Sequence, residues 1–137
     1  SEGVISQISR LAGADAVHLG SILGGCVAQH SWHPAILALQ SPLQKIPSCM
    51  IVVEGNINIS NIADNILAFG QDVMIEGYSG IVGYPYGALK GAKIIRKVVD
   101  EIHPDMTVEE VKNRILRLAK RDRDVFTALE HFRYSPL

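Results

Sequence analysis

The chain has 137 residues, 47% of them hydrophobic and 20% charged, and a formal net charge of −1. That is enough apolar content for one buried core, and too small a surplus of cations for a general nucleic-acid binder. No stretch reaches the roughly 18 apolar residues of a membrane helix, and the opening SEGVISQ lacks the basic-then-apolar pattern of a secretory leader, so no membrane partner and a cytoplasmic location are expected.

The elements follow in chain order. Val4, Ile5, Ile8 and Leu11 share one face of a helix over 2–12 that stops before Gly13. A short strand, Asp15–Leu19, runs into the glycine-rich loop Gly20–Gly25. Pro34 suits the first turn of a helix over 34–44 that Pro42 ends. Cys49–Val53 is continuously apolar and β-branched, the pattern of a covered parallel strand. Ser60 is placed to cap a helix with an Ile62, Ala63, Ile66, Leu67, Phe69 stripe, closed by Gly70. Asp72–Glu76 reads as a third strand. The loop Gly77–Gly87 leads to a helix over 88–102, with Ile94, Ile95, Val98, Val99 and Ile102 inward.

Composition then changes. All twelve glycines lie between Gly3 and Gly91, and eleven of the thirteen basic residues lie after Leu89. Thr107-Val-Glu-Glu110 fits a capping box opening a helix that carries Val108, Val111, Ile115 and Leu118. A last helical stretch over 122–132 offers Val125, Phe126, Leu129 and Phe132. Strands alternating with helices predict an α/β fold with a parallel sheet and right-handed crossovers. Residues 1–103 would form three strand–loop–helix units and 104–137 a helical cover, together one structural domain.

Glu54 and Glu76 each directly follow a strand and precede a glycine-rich turn, so in a parallel sheet both stand on one rim. Paired acids there serve as acid and base, bind a cation, or merely accept loop N–H bonds. His18 lies two residues before Gly20, as a site residue or a hydrogen-bonded strand histidine. Gly77-x-x-Gly-x-x-Gly83 matches neither a dinucleotide fingerprint nor a P-loop. His30 and His33 around Trp32 lack nearby further ligands and read as a surface cluster. Cys26 and Cys49, the two cysteines of the chain, exclude a disulfide scaffold and read as buried small residues. The basic residues from Lys112 to Arg123, interleaved with Asp122, read as a solvated helix exterior and not a nucleic-acid patch.

Taken in order, Leu11-Ala-Gly-Ala-Asp-Ala-Val-His18-Leu-Gly-Ser21, Val53-Glu-Gly55, and Gly80-Ile-Val-Gly-Tyr-Pro85-Tyr-Gly87 with Gly91-Ala92 resemble one known family. It is that of the ribulose bisphosphate carboxylase large subunit and the RuBisCO-like proteins, at the sixth, seventh and eighth strands of their (β/α)8 barrel. The resemblance implies that His18 approaches a substrate phosphate. It places Gly25 where true carboxylases carry a lysine, Glu54-Gly55-Asn56 where the family has Ser-Gly-Gly, and Tyr78 and Ser79 where it has a phosphate-binding glycine pair. The family's magnesium ligands belong to an earlier strand, which leaves the cofactor undefined. Magnesium is an expectation of the resemblance alone, and no metal ligand is assigned in this chain.

The implied protein is a RuBisCO-like segment or subunit that is not a carboxylase on its own. If completed by a partner, it would carry out enolase- or isomerase-type chemistry on a small sugar-derived ketone, with Glu54 and Glu76 catalytic. Phosphate or substrate would meet His18, Gly20, Ser21, Gly25, Gly55, Asn56, Tyr78 and Ser79. The expected partners are copies of the chain, or another chain supplying the rest of a barrel, and a small phosphorylated metabolite. The alternative is a non-catalytic α/β binding or interaction module. A flavodoxin-like domain is disfavoured because the chain opens with a helix.

Overall fold

The computed structural model describes residues 2–23 and 32–133. Helix α1 (Glu2–Leu11) precedes β1 (Ala16–His18), α2 (His33–Gln40), β2 (Met50–Val53), α3 (Ile62–Phe69) and β3 (Val73–Ile75). Then come α4 (Tyr78–Val82), α5 (Ala88–Val99), α6 (Val108–Ala119) and α7 (Arg123–Arg133). The three strands form one parallel sheet in the order β1-β2-β3, so the predicted α/β class and parallel βαβ units are what the chain adopts.

Register divides the side chains between two faces. Val17, Ile51 and Val73 stand side by side, as do Val53 and Ile75, and all five belong to or pack against the main core. That core joins them to Ile62, Ile66 and Phe69 of α3, Ile94 and Val98 of α5, Val111 and Ile115 of α6, and Val125 of α7. The opposite face carries His18, Val52 and Met74 in one row, with Ala16 and Met50 in the row behind. Here Met50 and Met74 are 40% and 51% exposed. Val52 is buried but stands apart from the main core. The helices therefore cover one face, and the other is open.

Three devices hold the units together. Arg10, almost fully buried, donates to the backbone carbonyls of Pro47, Ala38, Ser41 and Ile46 at 2.7–3.1 Å, tying α1 to the end of α2 and the loop beyond. The Thr107–Glu110 capping box forms as predicted. Gly80 and Gly91 permit close backbone approach: a Cβ on Gly80 would lie 2.8 Å from Asn58 Cα, and one on Gly91 2.4 Å from Ile81 O.

Several expectations change in detail. The apolar stripe of α1 points outward, with Val4, Ile5, Ile8 and Leu11 between 55% and 65% exposed, while Ser6 and Arg10 face inward. The guanidinium explains that orientation, because its four carbonyl partners lie on the α2 side. Ser60 does not cap α3; Asn61 occupies the N-cap position, and the Ser60 hydroxyl donates instead to Asn58 Oδ1. The helix over 34–44 ends at Gln40, where Ser41 turns extended. The loop after β3 contains the short helix α4. Phe126 lies outward at 52% exposure, and Ala128 takes the inward place on α7.

Candidate functional site

The backbone ladder runs past the ends of the strands. Leu19 N–H donates to Val52 O at 3.0 Å, Glu54 N–H to Gly20 O at 3.4 Å, and Glu76 N–H to Val53 O at 2.9 Å. Alternation along β2 and β3 then places Glu54 beyond Val52, and Glu76 beyond Met74, on the open face. His18 is the neighbour of Val52 on that same face.

One side chain from the end of β1 and one from the residue after each of β2 and β3 converge there. His18 Nδ1 lies 3.1 Å from Glu54 Oε2 and 3.7 Å from Glu76 Oε2, and one donor atom from each of the three falls within 4.8 Å of the others. All three are about half exposed, so a dissolved molecule can reach them. Among the described residues no lysine or arginine pairs with either carboxylate; Lys97 of α5 pairs with Asp122, and Lys112 of α6 with Asp64. Two carboxylates around one imidazole can pass a proton, hold a cation, or orient a donor.

The other predicted site residues are placed differently. Ser21 is fully buried, and its hydroxyl donates to Gly55 O at 3.0 Å, which joins the loops after β1 and β2. Gly20, Gly55 and Asn56 adopt positive φ values of 80°, 98° and 51° and form the turns below the triad. Asn56 O accepts from Asn58 and Asn61 Nδ2. Tyr78 opens α4 at 70% exposure, and Ser79 O accepts the N–H of Gly83. Gly25, Cys26 and His30 lie outside the described residues. Trp32 packs against Phe69, with ring centres 5.6 Å apart. Cys49 is buried, its thiol donates to Ala14 O, and burial pushes its pKa up, as suits a packing residue.

Sequence reasoning missed the asparagines. Asn65, fully buried, accepts the Ile22 N–H at 2.8 Å and donates to Asn61 O and Leu23 O. Four asparagines within residues 56–65, set among isoleucines, were the available signal of a buried polar network.

No protein-family model matches the chain. A ribulose bisphosphate carboxylase of Archaeoglobus fulgidus is 26% identical over 98% of this chain and 33% of its own length. The octameric ribulose-1,5-bisphosphate carboxylase/oxygenase of Pyrococcus horikoshii superposes over 97% of this chain with a TM-score of 0.78 at 21% identity. In sequence and in fold the chain is similar to ribulose bisphosphate carboxylases over most of its length. A rubisco-like protein from Alicyclobacillus acidocaldarius has the same fold over 96% of this chain, with a TM-score of 0.74 at 23% identity. The chain spans about a third of the length of these relatives, consistent with a partial, C-terminal segment of a RuBisCO-type barrel. Magnesium, as the resemblance implies it, does not fit here: the donors gathered at this rim among the described residues are one imidazole and two glutamates, where magnesium takes oxygen donors. No helix among the described residues is long and apolar enough to cross a membrane.

Proposed function

We propose that this chain is a RuBisCO-like barrel segment, working in the cytoplasm, whose rim moves protons on a small sugar-derived ketone once the remaining barrel is supplied. Residues 1–103 are its barrel units and 104–137 their cover. The observation that carries this reading is the convergence of His18, Glu54 and Glu76 from three adjacent strands. One glutamate takes the proton from the carbon beside the carbonyl. The C–H electron pair becomes the C=C bond of an enediol, the carbonyl π pair moves onto oxygen, and that oxygen takes a proton from His18 Nε2–H. His18, with Nδ1 turned to the carboxylates, keeps Nε2 for that oxygen or for a substrate phosphate. Return of the glutamate's proton to the former carbonyl carbon, with the adjacent enediol hydroxyl giving its proton back to His18, completes the isomerisation. Carboxylation is not its reaction, because Gly25 stands where the resemblance requires a lysine.

Completion follows from unsatisfied surface. Three parallel strands cannot close an eight-stranded barrel. The outer edges of β1 and β3 are unpaired among the described residues, and a hollow of about 640 Å³ with both apolar (Val73, Ile75, Ile95) and polar (Gln71, Arg96, His103) lining runs beside β3. Copies of this chain or a complementary chain fill these places. Size-exclusion chromatography with light scattering on the native material tests this: an assembly well above 14.9 kDa is expected, and a monomer at every concentration would favour a self-contained binding module.

A further inference from the structure

We infer that His18, Glu54 and Glu76 form a binding site for one first-row divalent transition-metal ion. The inference deepens the proposed use of this rim and relies on the same three residues acting together, but it concerns ion binding rather than turnover.

The spacing suits an ion. Two donors about 2.1 Å from one metal and at tetrahedral or octahedral angles lie about 3.0–3.4 Å apart. His18 Nδ1 stands 3.1 Å and 3.7 Å from the two Oε2 atoms and all three donor atoms lie within 4.8 Å of one another, so rotation of the half-exposed glutamate side chains is enough to bring the set around one ion. His18 ends β1, and Glu54 and Glu76 are the residues directly after β2 and β3, with backbone N–H groups still bonded to Gly20 O and Val53 O, which fixes their bases. Among the described residues no other side chain is hydrogen-bonded to them and no lysine or arginine neutralises the carboxylates. An imidazole with two carboxylates selects zinc, cobalt, manganese or iron(II) over calcium and magnesium, which take oxygen donors. Three protein donors leave positions open on the solvent side, and the second oxygen of each glutamate stays free to take a proton.

The test is titration of the full chain with Co²⁺ and Zn²⁺, followed by calorimetry and by the visible Co²⁺ spectrum, with Mg²⁺ as competitor and no substrate present. One ion per chain is expected, with nitrogen-and-oxygen ligation in the spectrum and little displacement by a tenfold excess of Mg²⁺. Glu54→Gln, Glu76→Gln and His18→Asn should each weaken binding by at least about tenfold. All three positions are half exposed, so circular dichroism should show these variants folded. No binding at millimolar ion, or equal affinity in the wild type and all three variants, would overturn the site. Proton transfer on a ketone could still stand after that failure, and an absence of turnover with a metal bound would overturn only the proposed function.

Discussion

Asn65 on α3 accepts the backbone N–H of Ile22 at 2.8 Å, so one buried amide ties the chain leaving β1 to the helix that follows β2. Its Nδ2 also donates to Leu23 O at 3.3 Å and Asn61 O at 3.0 Å. Asn65→Ala would leave these groups unpaired away from water, at a cost of about 1–3 kcal/mol for each one that water cannot reach. Urea unfolding should show a lower midpoint with an unchanged slope.

Arg10 makes a second prediction of this kind. Its guanidinium reaches four carbonyls at once, which the three donors of an ammonium cannot reproduce. Arg10→Lys should therefore lose most of the stability that Arg10→Met loses, about 3 kcal/mol from hydrogen bonds to a charged group. Equal stability of Arg10→Lys and wild type in denaturant would contradict the assignment.

Asp122 links α5 to the start of α7. Its carboxylate is held below the usual aspartate range chiefly by the Lys97 hydrogen bond, with the Val125 and Asp124 backbone N–H groups adding to it and burial opposing. A depressed folded-state pKa contributes stability at pH values above the unfolded value, about 3.9, and that stability is lost as pH falls through the folded value. Unfolding free energy should drop below about pH 4, and Asp122→Asn should flatten that part of the curve.

The strands were legible because β2 is continuously apolar and β1 and β3 end at glycine-rich turns; the pairing of Glu54 with Glu76 followed from their equivalent places after parallel strands. The contact with His18 needed the register, which sets His18 beside Val52 and which no local pattern encodes. Ser21 looked like a rim residue, yet its side chain turns inward to Gly55 O, a long-range choice invisible in sequence. The outward stripe of α1 was hidden for a similar reason: Arg10 decides which face turns in, through partners 28 to 37 residues away.

That stripe makes the assembly testable by mutation. Ile5→Glu with Ile8→Glu alters residues that are 65% and 60% exposed, while Ser6 and Arg10 keep the inward contacts. Light scattering should show a smaller particle than wild type, with an unchanged circular dichroism spectrum. Association unaffected by both charges would place the interface elsewhere, on the open sheet face or the β3 edge.

The most direct test of the central claim is solvent deuterium exchange into small ketose phosphates, followed by proton NMR with the native assembly. Wild-type protein should exchange the proton beside the carbonyl. Glu54→Gln or Glu76→Gln should slow that exchange by about 100-fold or more, the range for loss of a general base, with circular dichroism unchanged. Exchange at the same rate in wild type and both variants, or none in wild type across the panel, would contradict proton transfer at the His18–Glu54–Glu76 rim.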